Sequence, residues 1–267
     1  MVYLQGIWFD MQVLSSIWFR RIKGDTHKER LESFYGPQAQ AYDHFRGNFL
    51  HGRRPLLSAC ASRLQQERGE TRGEDLVWVD LGGGTAENVE IMSDYMDLQL
   101  FSKIIIVDMC GALCEVARQR VASKGWRNVE VVEGDACEFS PPPNVKAKLV
   151  TFSYSLSMIP PFMKAVDKAL SYLDQKEGLL GVADFYTSSK YDLRPRQHGM
   201  MTRWFWRIIF DLDNIDVGPE RRQFLDLRLR RIAEINSVGS IPYVPLLRAP
   251  YYMWIGQPRT TERADND

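Results

Sequence analysis

The chain has 267 residues, 45% of them hydrophobic and 25% charged, which excludes disordered and collagen-like classes and suits one large α/β domain with an elaborated cap. Lysine plus arginine and aspartate plus glutamate balance at 34 each, so no global field points to nucleic acid, and an anionic partner must be met by a local patch. The four cysteines, Cys60, Cys110, Cys114 and Cys137, lack a Cys-x-x-Cys pair and read as free thiols, mostly buried; no metal is expected.

The first 30 residues carry Leu4, Ile7, Trp8, Met11, Leu14 and Trp18 at helical spacing, with Arg20, Arg21 and Lys23 following at once. The pattern predicts an amphipathic helix that lies on a membrane surface or packs on the protein. Asp10, Gln5, Gln12 and two serines interrupt the run, which is too short and too polar to span a bilayer. A signal peptide is not expected, because the positive charges follow the apolar stretch. Residues 31–259 are expected to form the main domain, and the polar 260–267 a frayed tail or the start of a linker.

From Asp75 onward strand-like and helix-like segments alternate, the pattern of a parallel sheet with helices on both faces. Strands are predicted at "LVWVDL" (76–81), 103–109, 128–135, 147–155 and 178–186, making five βα units with function at their carboxyl ends. Residues 187–240 break the rhythm and are expected to form a helical cap. Within it, Met200, Met201, Trp204, Phe205, Trp206, Ile208, Ile209 and Phe210, with Arg203 and Arg207 between them, predict a helix that packs on the sheet, lines an acyl groove or dips into a bilayer surface. "IPYVPLL" (241–247) and "APYYMWIGQPR" (249–259) read as two closing strands.

The stretch "VWVDLGGGTAENVE" places Gly82, Gly83 and Gly84 between a strand ending at Asp80 and a helix opening near Glu87. Glycines there permit a sharp turn and let a ligand approach main chain that a Cβ would shield. A dinucleotide fingerprint would have a third spaced glycine where Glu87 stands, and a carboxylate beside a diphosphate is unfavourable; S-adenosylmethionine, with an ammonium and a sulfonium, tolerates it. Asp108 ends the second strand and can accept from a ribose diol. Asp135 ends the third and can accept from an adenine amino group, with Gly134 and Ala136 small enough to admit the ring. Asp80 on the first strand, Met109 after the second and Ser153 on the fourth complete, with the three glycines, the expected cofactor-binding set. Asp108 and Asp135 read equally well, taken singly, as helix N-caps.

"DLGGGTAEN", "VDMC" and "VEGDAC" resemble motif I, the ribose-binding acid and the adenine-site acid of class I S-adenosylmethionine-dependent methyltransferases. "LESFYGPQAQAYDHFRGNFLHGRRPLL", "FSYSLSMIP" and "YYMWIGQPR" are similar, more narrowly, to the methyltransferase module of betaine lipid synthases, over about Leu31 to Arg259. The resemblance implies a Rossmann-like fold: a mostly parallel twisted sheet, helices on both faces, and an antiparallel closing strand. It further implies S-adenosyl-L-methionine as cofactor and methylation of a lipid-linked amine, diacylglyceryl homoserine, to its trimethyl form at the cytosolic face of a membrane, the endoplasmic reticulum in a eukaryote. Eukaryotic members fuse this module to a second one that builds the homoserine lipid, so such a module is an expected partner.

Methyl transfer to an amine needs a neutral lone pair, which partial desolvation favours, and aromatic rings then attract the quaternary product. Tyr35, Tyr42 and Tyr154 are the candidates around the transfer point, with His198 as a base or bridging donor and Tyr186 beside the substrate. Arg46, Arg194 and Arg196 are candidates for the acceptor's carboxylate. Two rival readings stay open: a methyltransferase for a soluble or quinone-like molecule, and a non-catalytic, membrane-recruited scaffold.

Overall fold

The computed structural model describes residues 24–36, 47–70, 76–212, 215–242 and 244–259. The apolar segment within 1–23, the tail 260–267, and the candidates Tyr42 and Arg46 lie outside the described residues.

Strands β1 (Leu76–Leu81), β2 (Phe101–Asp108), β3 (Val129–Glu133), β4 (Leu149–Ser153), β5 (Leu179–Phe185), β6 (Leu229–Ile241) and β7 (Val244–Pro258) form one sheet in the order β3-β2-β1-β4-β5-β7-β6. The first five are parallel; β7 pairs antiparallel with both β5 and β6, so it alone among the described strands runs against the rest. β1, β4 and β5 are buried along their whole length, which is why they read as unbroken apolar runs. The chain steps outward from β1 to β3 and returns to β4 on the other side of β1. That reversal opens a crevice at the carboxyl ends of β1 and β4.

Helices α1 (His27–Tyr35), α2 (Arg53–Glu70), α3 (Glu87–Ser93), α4 (Gly111–Lys124), α5 (Phe162–Tyr172), α6 (Met200–Asp211) and α7 (Glu220–Arg228) surround the sheet. Alternation along β1 divides the core: Trp78 packs in one layer with Leu56, Leu57 and Leu64 of α2, and Val77, Val79 and Leu81 in the other with Ala165, Val166 and Ala169 of α5. Each large aliphatic side chain buried this way contributes about 1.5–3 kcal/mol.

Four expectations are corrected. Residues 134–148 cross from β3 to β4 without a helix, because Pro141, Pro142 and Pro143 deny a helix its amide donors. The cap expected as helix to residue 240 ends at Arg228, and 229–241 forms β6; Ile232, Ile235 and Val238 recur every three residues as on a helix, but pairing along β7 overrides that local signal. The break expected between two closing strands at 241–247 and 249–259 is absent: 244–258 run as one strand, β7, while Ile241 ends β6. The boundary expected at residue 30 falls inside α1, whose capping box joins Thr26 and Glu29. No helix among the described residues is long and apolar enough to cross a membrane.

Candidate active site

At the crevice the backbone leaves β1 through a turn that only glycine accommodates easily. Gly82 and Gly84 have φ of 69° and 58°, and the Gly82 amide donates to Val107 O at 2.7 Å. A Cβ on Gly83 would stand 2.6 Å from Asp80 Oδ2. Asp80 itself lies fully buried beneath the turn, accepting from Thr151 Oγ1 at 2.6 Å and Asn88 Nδ2 at 2.8 Å, while Trp78 Nε1 donates to Thr151 Oγ1 at 2.7 Å. Burial raises the Asp80 pKa against these hydrogen bonds. Expected among the cofactor contacts, Asp80 is instead a positioning residue that ties β1, β4 and α3 together under the turn.

Above it opens a cavity of about 330 Å³. Gly82, Gly83 and Gly84 form its floor, with Asp108, Met109, Asp135, Ala136, Ser153, Tyr154 and Tyr35 around the rim, so most of the expected cofactor set and two of the expected tyrosines meet in one place. Asp108 accepts from the amides of Gly84 and Cys110, both at 2.9 Å, and Asp135 from that of Cys137 at 2.8 Å. Each acid thus closes a local turn, and neither is a helix N-cap: Cys110 holds that position for α4, and no helix follows Asp135. A carboxylate has about four lone-pair sites, so each keeps acceptors for a ligand. Burial, helped by the charges of Asp80 and Glu32, pushes Asp108 up to about 6 against its two amide donors.

Arg53 and Glu87 form a largely buried ion pair on the cavity wall. This corrects the electrostatic argument from sequence: the turn presents a paired cation and carboxylate, complementary to a zwitterionic amino-acid tail, where a lone acid was expected. Sequence reasoning missed Arg53, since nothing in "HGRRPLL" separates it from Arg54, which is exposed and bonds Asp94. It missed Glu32 as well, whose Oε1 accepts from the Gly111 amide at 2.5 Å and so fastens α1 over the start of α4. The rest of the lining is mainly apolar and includes Leu31, Met158, Ile159, Pro160 and Pro161.

Four candidates stand elsewhere. Arg196 is 3% exposed and is held by carboxylates of the protein itself, with Asp226 and Glu234 each 2.5 Å away. Tyr186 donates its hydroxyl to Asp192, and Arg222 stacks over its ring. His198 Nδ1 accepts from the Ser188 amide at 3.1 Å, and burial lowers its pKa; it packs on Tyr186, outside the cavity. Arg194 is exposed and does not line the cavity either. Tyr154 does line it, at φ 56°, but its hydroxyl accepts from the Gly52 amide at 2.8 Å and burial raises its pKa, so the hydroxyl stays protonated and the residue serves as wall and not as base. All four cysteines are buried and free, their thiols pushed up to about 12 chiefly by burial.

Residues 79–176, from β1 to just beyond α5, match the family described as methyltransferase domain. This segment is a methyltransferase domain. S-adenosylmethionine is the methyl donor expected from the sequence, and the cavity tests that cofactor on its own geometry. The glycine floor has no side chain in the way, Asp108 and Asp135 keep free acceptor sites, and Ser153 Oγ is buried on the cavity wall without a hydrogen-bond partner. The residues fit the group. Solved structures share the fold: YcgJ of Bacillus subtilis (17% identity, 74% of this chain and 99% of that one, TM-score 0.53), and the N-methyltransferase NodS of Bradyrhizobium japonicum WM9 in complex with S-adenosyl-L-homocysteine (13%, 75% and 85%, 0.51). Mitomycin 7-O-methyltransferase MmcR is a third (15%, 94% and 68%, 0.55). No curated protein matches the methyltransferase chain in sequence.

The acid rim makes a pH prediction. A carboxylate accepts the cofactor's hydroxyl protons and a carboxylic acid does so poorly, so affinity is expected to be flat above about 6 and to fall below it. The limiting slope is about tenfold per pH unit. Calorimetric titration of S-adenosylmethionine between pH 7.5 and 5 measures this; constant affinity over the range would remove Asp108 from the contact.

Proposed function

We propose that this methyltransferase converts diacylglyceryl homoserine to diacylglyceryl-N,N,N-trimethylhomoserine. The observation that carries the reading is the combination, in one cavity, of carboxylates with an apolar, aromatic lining, together with the resemblance of segments 31–57, 152–160 and 251–259 to betaine lipid synthases. S-adenosylmethionine, when bound, supplies an electrophilic methyl group. The wall of Leu31, Met158, Ile159 and Pro160 lowers the local dielectric, which disfavours the ammonium form of an acceptor amine and leaves its lone pair free to attack. The amine's proton leaves to solvent before transfer. The rings of Tyr35 and Tyr154 offer π-faces to the cation that grows on nitrogen, each worth about 0.5–2 kcal/mol. Positioning alone can supply about 7–11 kcal/mol of the barrier reduction, and no metal is needed for such a displacement.

Tyr42 and Arg46 remain proposed for the same wall and for the acceptor's carboxylate, and residues 1–23 as a membrane-associating segment at the cytosolic face. A second, lipid-building module is the proposed partner. Nitrogen as the acceptor atom is part of the proposal, since NodS and MmcR carry N- and O-methyltransferase names on one fold. The test supplies S-adenosylmethionine labelled in its methyl group with vesicle-borne diacylglyceryl homoserine or with free homoserine and a soluble quinol. Label is expected in the lipid alone, rising with pH through the amine's pKa. Label in a soluble acceptor without vesicles would overturn the lipid reading and favour the small-molecule one.

A further inference from the structure

The structure assigns to α6 and the segment leading into it a docking face for an anionic lipid bilayer. Trp206 and Phe210 turn inward and are 4% exposed, whereas Met201, Trp204, Ile208 and Leu212, spaced three or four apart, are each at least 60% exposed. Tyr191 and Leu193 extend the same exposure upstream. Single exposed apolar residues are ordinary, but a whole helix face of them is not.

Charge decides what covers it. Lys190 and Arg194 are exposed among these side chains and Arg207 borders them, its Nε donating to Thr187 Oγ1 at 3.0 Å, while Arg203 is half-buried; of the two acids of 190–212, Asp192 is turned inward against Tyr186 and Asp211 is exposed at the helix end. Such a mixture suits acyl chains beneath anionic headgroups, with Trp204 at the level where amphipathic rings settle. A second copy packed across a two-fold axis would bring the same cations face to face.

The inward side of α6 reaches the cavity through stacked rings. Tyr154 on the cavity wall lies 4.8 Å from Phe185, Phe185 4.5 Å from Phe210, and Phe210 5.3 Å from Trp206. Docking by α6 therefore holds the apolar side of the cavity near the bilayer. The inference rests on the lipid reading above for its purpose, but its test does not need turnover.

The full-length chain is floated with phosphatidylcholine vesicles containing or lacking phosphatidylglycerol. The wild type is expected to float with the anionic vesicles, and a Trp204→Ser/Ile208→Ser variant to partition at least about tenfold more weakly, the worth of one large apolar side chain left unburied. Lys190→Gln with Arg194→Gln is expected to erase the preference for anionic lipid. S-adenosylmethionine affinity and thermal midpoint, unchanged in each variant, show that the fold is intact. Undiminished flotation of the serine variant overturns the assignment. So does a lowered midpoint with unchanged flotation, which would mark α6 as covered by the chain's own amino-terminal segment, or dissociation of a wild-type dimer that does not bind vesicles. Lost flotation with continued methylation of detergent-dispersed diacylglyceryl homoserine upholds both readings; lost flotation in a protein that methylates no lipid upholds the docking face and refutes the substrate.

Discussion

Arg196→Ala is expected to lower the unfolding free energy by about 3 kcal/mol, the lower end of the ~3–5 kcal/mol for breaking a buried ion pair, because Asp226 and Glu234 keep an edge in solvent. The guanidinium bridges α7 and β6 through these two acids, and Arg222, fully buried, shares Glu234 at 2.9 Å. Burial disfavours the Glu234 carboxylate, but the hydrogen bonds from Arg196 and the charge of Arg222 outweigh it and hold the group at about 2. An acid depressed on folding contributes stability that is full above its ordinary value of 4.5 and is lost as pH falls toward about 2. The variant should therefore show a shallower loss of stability across that window. Urea unfolding at pH 7 and pH 3 reads both effects. An unchanged midpoint with a raised KM for the acceptor would return Arg196 to the substrate.

Gly82→Ala is expected to cost about 2–5 kcal/mol, the sum of about 1–2 kcal/mol for an alanine held at positive φ and about 1–3 kcal/mol for overpacking. The new Cβ would stand 2.3 Å from Ser155 Cβ, and Ser155 is pinned by its hydroxyl, which donates to Leu81 O at 2.6 Å. Gly84→Ala makes the informative contrast. Its Cβ meets nothing nearer than Leu113 Cδ1 at 4.0 Å, so only the backbone cost of about 1–2 kcal/mol applies to folding. If the cofactor approaches that main chain, its affinity should still fall at least tenfold, or about 1.4 kcal/mol. Thermal unfolding and calorimetry on the two variants separate the roles; unaltered affinity in Gly84→Ala would place the cofactor away from the turn.

The glycine turn and the acids at strand ends were legible because each answers a local demand. Positive φ calls for glycine, and a carboxylate after a parallel strand has few other tasks than closing the turn or binding; Asp108 and Asp135 do the first and keep acceptor sites for the second. The arginines were not legible, because a guanidinium looks the same in sequence whether its partner is a substrate or a carboxylate 38 positions away, as Glu234 is from Arg196. His198 and Tyr186 follow a strand whose carboxyl end is near the crevice, yet their hydrogen bonds to Ser188 and Asp192 close a separate cluster. β6 was misread for a related reason: apolar residues at every third position fit a helix, and only the partner strand β7 decides otherwise. The proposed acceptor is written in no single residue and is argued from the lining as a whole.

The most direct test is the lipid extract of a host that expresses this chain and is fed diacylglyceryl homoserine, analysed by mass spectrometry beside the same host carrying Asp108→Asn. The wild type is expected to accumulate mono-, di- and finally trimethylated lipid, and the variant, with a weakened acceptor for the cofactor, to stall with the unmethylated precursor. Contradiction would be a wild-type chain that binds S-adenosylmethionine when purified yet leaves the fed lipid unmethylated.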